Sequence, residues 1–280
     1  MTDASPRPRD PAEEWWSTAI IEMEPGLIRF RGHAVEDLIG RVSFPAMIWL
    51  MLRGDLPTPA QADLLGAAMV AGVDHGPQAP SIAIARMAIT CGVGINGAMA
   101  SAVNVLGDVH GGAGEQCVTL LQAIAARIAA GEAQEAAIAA EVDALAARGV
   151  RHVPGYGHRF HPVDPRAPRL MALLRAAEGR DGIAPGFADI AEGIAALLAA
   201  RKGRPIPMNI DGATAAIQAA LGFPPPVCRG LFVLSRSVGA LAHAWEQSQR
   251  GERNKGPIPR DLTWRYTGPA PRPVPDPAPG

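Results

Sequence analysis

The chain has 280 residues, 48% of them hydrophobic and 19% charged, with a formal net charge of -1. That length buries a substantial core in one large domain or two smaller ones, and the balanced charge exerts no pull on nucleic acid or an anionic membrane. Three cysteines (Cys91, Cys117 and Cys228) stand far apart without a C-x-x-C pair, which argues against a disulfide framework or zinc ribbon and fits a reducing cytoplasm.

The opening MTDASPRPRDPAEEWW lacks the apolar stretch of a signal peptide, and no run of about 18 apolar residues follows. A cytoplasmic location without a membrane span is expected. Residues 1–14 read as a disordered arm, because the prolines of SPRPRDP oppose helix and central strand alike. EPGLIRFRG, residues 24–32, alternates after a Pro-Gly turn and is the one convincing strand. Nearly everything else has helical spacing, and with aromatics at 5% the helices should be thin and closely packed. CGVGING, residues 91–97, matches G-x-G-x-x-G, but its flanks read as helices. Small residues for close packing therefore explain it better than a dinucleotide turn.

In GDVHGGAGE, His110 precedes a helix starting near Ala113, between glycines that let backbone approach a ligand; a cap or surface role is the alternative. Val118, Leu121, Ile124, Ala125 and Ile128 share one face of that helix, which Gly131 should end. HVPGYGHRFHPVDPR, residues 152–166, gathers His152, His158, His161 and two arginines around a hinge. Pro162 spoils any helical alignment of His158 with His161, so no metal is expected. Ile190, Ile194, Leu197 and Leu198 mark another helix, ending at Lys202-Gly203. In PMNIDG, Asp211 precedes a helix and is either its N-cap or a partly desolvated base. Residues 227–247 are apolar almost all round and predict a buried helix, with Arg229, Arg236 and His243 spaced by seven on one face. Arg236, mid-helix among aliphatic residues, needs an anion: an acidic side chain from elsewhere or a substrate carboxylate. The proline-rich end, residues 268–280, reads as a second disordered arm.

Taken in order, these segments resemble the citrate synthase superfamily over nearly the whole chain. Residues 15–61 are similar to its opening segment, with R-G-x-x-x-x-x-L at Arg31 to Leu38. DHGPQAPS, GDVHGGAGE, PGYGHRFHPVDPR, MNIDG and LFVLSRSVGALAHAWEQ each resemble one of its motifs. The resemblance implies an all-α fold: a large domain from residues 15–112 and 226–267, and a small domain from residues 113–225 that carries the CoA loop and closes over the site. It implies a homodimer or a higher homo-oligomer. It also assigns roles. His110 would hydrogen-bond the thioester carbonyl of an acyl-CoA, Asp211 would take its α-proton, and His158 would polarise the ketone of an oxo acid. His75, Arg166, Arg236 and Asn209 would hold the oxo acid, and the backbone of Pro154, Gly155, Tyr156 and Gly157 would cradle the CoA adenine. CoA enters as substrate; no tightly bound cofactor or metal is implied.

Departures from the family pattern set the subtype. The chain is shorter than typical citrate synthases, and Gly212 follows Asp211 where synthases usually have a bulky aromatic. The arginine lent to the neighbouring subunit's site has no clear counterpart, Arg260 being the candidate. These features resemble the citryl-CoA lyase branch, whose carbon–carbon step in tricarboxylic acid metabolism leaves the thioester intact. A citrate or 2-methylcitrate synthase, or a non-catalytic CoA-binding protein on the same scaffold, are the alternatives.

Overall fold

The computed structural model describes residues 11–158, 162–259 and 261–274. His161, Arg260 and the outer parts of both expected arms lie outside the described residues. An exposed turn of helix, α1 (Pro11–Trp15), opens the described chain where an arm through residue 14 is expected; Pro11 takes the first helical position, where its missing N–H is not needed. Then β1 (Ile21–Glu24), β2 (Leu27–Phe30) and β3 (His33–Ala34) form an antiparallel sheet in that order. Pro25–Gly26 closes β1 onto β2 with Glu24 opposite Leu27, and Gly26 takes a φ of 80°. The expected strand over 24–32 is thus one arm of a hairpin. Its partner β1 is exposed throughout and has no buried face to reveal it.

The rest is helical: α2 (Val35–Leu38), α3 (Phe44–Arg53), α4 (Pro59–Gly72), α5 (Pro80–Thr90), α6 (Ile95–Asn104), α7 (Ala113–Ala129), α8 (Gln134–Ala147), α9 (Arg166–Ala177), α10 (Phe187–Lys202), α11 (Ile210–Ala220) and α12 (Pro225–Gln249). No described helix is long and apolar enough to cross a membrane. Local chemistry sets several boundaries. Thr58 and Gln61 form a reciprocal capping box at the start of α4. At the end of α7, Gly131 (φ 96°) donates to Ile128 O at 2.9 Å and Glu132 N–H to Arg127 O at 3.1 Å, a Schellman ending as the sequence predicts.

The main core gathers α4 and α7 through α11 around fully buried Leu65, Leu121, Ile124, Leu174, Ile194 and Ile217. Alanines at 213, 215, 216, 219 and 220 line α11 and let its neighbours α4, α7, α9 and α10 come close. A smaller cluster, Ala79, Ile82, Ala85, Ala102 and Ala240, joins α5, α6 and α12. CGVGING runs from the end of α5 into the first turn of α6, where Gly94 caps α6 and any side chain at Gly97 would collide with Val93. Packing, not nucleotide binding, explains those glycines.

One expectation is corrected. The helix of residues 227–247 is not buried all round: Leu234, Val238, Leu241 and Trp245 are 45%, 58%, 44% and 60% exposed along one face. Its neighbours α4, α5, α6 and α7 cover the other sides. Shortening fully buried Ile217 to alanine should destabilise the fold by about 2–5 kcal/mol, because α11 is enclosed and cannot collapse into the gap. Urea unfolding should show a lower midpoint with an unchanged slope.

Candidate active site

Four polar breaks and the middle of α12 meet around one cavity of about 470 Å³, lined by His75, His110, His158, Arg166, Asn209, Asp211 and Arg236 among others. All seven residues predicted around the reacting centre are brought together.

His110 stands in a loop that a Gly107–Gly111 bridge pinches shut. Gly111 has a φ of 100°, and a side chain at Gly112 would run into the backbone of Asp108. The ring's Nε2 lies 3.2 Å from the backbone N of Ser81, in the first turn of α5, and 3.0 Å from Ser81 Oγ. A backbone N–H can only donate, so Nε2 accepts and the ring proton sits on Nδ1. Burial, with the charge of Arg236, lowers the His110 pKa, keeping it a neutral donor. The sequence leaves that tautomer open; Ser81 decides it.

Asp211 is not the cap of α11. Asn209 is: its Oδ1 accepts from Asp211 N at 2.9 Å and Gly212 N at 3.3 Å, while its Nδ2 donates to Gly157 O at 2.7 Å. The Asp211 carboxylate is thereby released from a backbone role. Burial raises its pKa, with Arg236 and Arg166 acting in the opposite sense.

Arg166 opens α9 and grips Asp164, Nε to Oδ1 and Nη2 to Oδ2, both at 2.9 Å. Asp164 is fully buried and was not singled out from the sequence, although it adjoins Arg166 in D-P-R. Its oxygens also accept Arg166 N at 3.1 Å and Ile210 N at 2.9 Å, and Oδ2 lies 4.0 Å from His158 Nε2. Burial pushes its pKa up, but the Arg166 hydrogen bonds and charge, with Ile210 N–H, override this and hold it at about 2. The His158 ring stands edge-on to His75, centroids 5.5 Å apart. The pKa of His75 is lowered by burial and by Arg166, His158 and Arg236. Arg236 is 6% exposed; its Nε donates to Gly72 O at 3.1 Å and its guanidinium lies 4.9 Å from the Phe232 ring centroid. Among the described residues it forms no ion pair. The charges of Asp74 and Asp211 act on it from farther off.

The Pro154–Gly157 turn is expected to offer a free backbone, but much of it is already used. Asn209 N donates to Gly155 O at 3.0 Å and Gly157 N to Pro207 O at 2.7 Å, and Tyr156 OH is turned inward onto Ala191 O at 2.7 Å. What the turn offers is shape. Its outer side borders a second cavity of about 760 Å³ that shares Gly157 and His158 with the first and is lined by Arg151, His152, Lys202 and Arg204. These basic residues are scattered in sequence and carried no motif. Among the described residues no group of three or more His, Cys, Asp or Glu is placed to hold a metal.

Residues 58–260 match the family model described as citrate synthase, C-terminal domain. The chain belongs to the citrate synthase family. It is 30% identical over 202 residues to citrate synthase of Deinococcus radiodurans, covering 71% of this chain and 51% of that protein. It is 30% identical over 201 residues to 2-methylcitrate synthase of Mycobacterium tuberculosis, covering 71% and 48%. The chain thus spans about half the length of the curated relatives it matches. The structure of citryl-CoA lyase from Hydrogenobacter thermophilus superposes with a TM-score of 0.80 and 30% identity, covering 93% of this chain and 97% of that one. The fold is also that of part of ATP citrate lyase from Methanothrix soehngenii, with a TM-score of 0.74 over 46% of that chain.

Because the folded pKa of Asp164 lies below its ordinary 3.8, its stabilisation is present above about pH 4 and lost as pH falls toward 2. Asp164→Asn should lower stability at pH 7 by roughly 2 kcal/mol and flatten the acid limb, as measured by denaturant midpoints from pH 7 down to 2.

Proposed function

We propose that this protein cleaves citryl-CoA to acetyl-CoA and oxaloacetate, or runs that carbon–carbon step in reverse. The observation that carries the reading is the convergence of a neutral His110 donor, a half-buried Asp211 and the two guanidinium groups of Arg166 and Arg236 on one cavity. In cleavage, His158 accepts the proton of the tertiary hydroxyl as its oxygen becomes the ketone. The electrons of the breaking carbon–carbon bond pass into the thioester, whose developing enolate oxygen is stabilised by the Nδ1–H of His110. Protonated Asp211 delivers a proton to the new methyl carbon, and its raised pKa favours that form. In condensation the same carboxylate takes the proton back. Arg166 and Arg236, with His75, suit the carboxylates of the oxo acid. The phosphates of CoA fit the basic wall of Arg151, Lys202 and Arg204, and the 154–157 turn shapes the wall against which its adenine lies.

The likeness to a citryl-CoA lyase, at a TM-score of 0.80 and 30% identity, supports the lyase over the synthase named for the curated relatives. The activities of those relatives keep citrate or 2-methylcitrate synthesis as the second reading. A silent CoA-binding scaffold fits poorly with an intact His110–Ser81 contact and a base freed from capping. We further propose that the chain pairs into a homodimer through the open apolar face of α12, where Leu234, Val238, Leu241 and Trp245 form a helical stripe.

Incubated with citryl-CoA, the protein should release oxaloacetate and acetyl-CoA, and Asp211→Asn should slow this about 10²- to 10⁴-fold. Citrate and free CoA as products would transfer it to the synthases; no conversion by the wild type would overturn the reading. In sedimentation, the wild type should run as a dimer and Val238→Arg as a monomer.

A further inference from the structure

Arg229, Arg236 and His243 lie seven residues apart along α12, yet only Arg236 lines the active-site cavity. The other two act on its loops. Arg229 donates from Nε to Glu115 in the first turn of α7, and from Nη2 to Asp108 Oδ1 at 2.6 Å. Asp108 belongs to the pinched loop that presents His110, and Gln116 Nε2 holds its carbonyl at 3.1 Å. Toward the other end of α12, His243 Nε2 lies 3.3 Å from Asp74 Oδ2. Its Nδ1 lies 3.1 Å from Arg86 Nη1, which also pairs with Glu246 at 3.0 Å. Arginine can only donate, so Nδ1 accepts and Nε2 carries the proton given to Asp74. Asp74 immediately precedes His75, and its Oδ2 also accepts Gly76 N–H at 3.1 Å. Between these contacts a side chain at Gly239 would collide with the Val73 carbonyl, so the helix presses directly on that loop.

We propose that α12 sets the two histidine loops independently: Arg229, through Asp108, positions His110 for the thioester, and His243, through Asp74, positions His75 for the oxo acid. The assignment of each loop to a substrate rests on the proposed reaction. Both loops turn on glycines and have little stiffness of their own, whereas a helix of 25 residues anchored in the core is a rigid reference. Asp108 is 78% exposed, so its ion pair adds little to global stability. Its loss should show in geometry, where a displacement of about 1 Å is worth up to 10²-fold in rate.

The test uses the full chain and two separate readouts. One is exchange of the acetyl-CoA methyl protons with deuterated water at saturating malate, a hydroxy acid that has no ketone with which to condense. The other is oxaloacetate affinity by calorimetry. Arg229→Met and the surface variant Asp108→Asn should slow exchange by about 10- to 100-fold and leave oxaloacetate affinity within twofold. His243→Leu should weaken oxaloacetate by about tenfold without slowing exchange, and His243→Gln, which keeps a donor for Asp74, should restore it. Amide hydrogen exchange of the same variants reads the geometry without any turnover. Arg229→Met should loosen residues 107–112 alone and His243→Leu residues 74–78 alone. Variants that affect both loops together, or neither, overturn the proposal even if the wild type is active. A wild type that neither binds oxaloacetate nor exchanges, but whose loops still loosen separately, overturns the functional reading and leaves the positioning intact.

Discussion

A fully buried carboxylate with no cation beside it would be untenable, and Asp164 survives because four donors converge on it. The guanidinium and backbone N–H of Arg166 supply three of them, and the N–H of Ile210 supplies the fourth. That last bond matters most for the site. It ties the start of α9 to the start of α11, so Arg166 and Asp211, to which the proposed reaction gives the substrate carboxylate and the proton, are held at one spacing. His158, 4.0 Å from the same carboxylate, is drawn into that arrangement from a third segment. Three pieces of chain with no continuous secondary structure between them are registered by one ion.

Arg236 is the counterpart with the opposite balance. It is nearly as buried, yet it has a carbonyl and an aromatic face rather than a carboxylate, and burial lowers its pKa. Its charge also acts on Asp211, holding down a carboxyl that burial pushes up. A dianionic ligand entering the cavity would neutralise Arg236 and Arg166 together. The restraint on Asp211 would then weaken and its basicity would rise. In the proposed reaction Asp211 would thus be most basic once the oxo acid is in place, which would couple binding to the chemistry through electrostatics.

Much of this was legible in sequence because it is local. The helical faces of α7 and α10, the Gly131 ending and the small residues of CGVGING follow from spacing and backbone preference, and the ordered motifs located the residues around the cavity. What stayed hidden depends on partners distant in the chain. Asp211 and Asn209 are both acceptable caps; only the hydrogen bonds of Asn209 to Asp211 N, Gly212 N and Gly157 O decide which one caps. The His110 tautomer is set by Ser81, 29 positions earlier. The basic wall of Arg151, Lys202 and Arg204 comes from a loop and from the far end of α10, with no shared motif. The apolar pattern of α12 predicted burial correctly in kind, but pattern does not count neighbours, and one face has none within the described chain.

The seating of the 154–157 turn, the proposed CoA wall, gives a physical meaning to the glycine after Asp211. A side chain at Gly212 would come within 2.5 Å of Gly155 O and 2.7 Å of Met208 Cγ, and one at Gly155, whose φ is 85°, would come within 2.7 Å of Gly212 Cα and 2.9 Å of Cys117 Sγ. The two glycines lie backbone to backbone, and the bond from Asn209 N to Gly155 O joins the same segments. The turn therefore rests directly on the helix that carries the base. A bulky residue after the base and this seating exclude each other, so an aromatic at that position would require the turn to lie farther out. The distance between the CoA wall and Asp211 is fixed here by the absence of two side chains, and the wall cannot shift without moving the first turn of α11. In the proposed reaction, binding energy from the nucleotide end of a thioester would thereby reach the reacting carbon through backbone rather than through rotatable side chains.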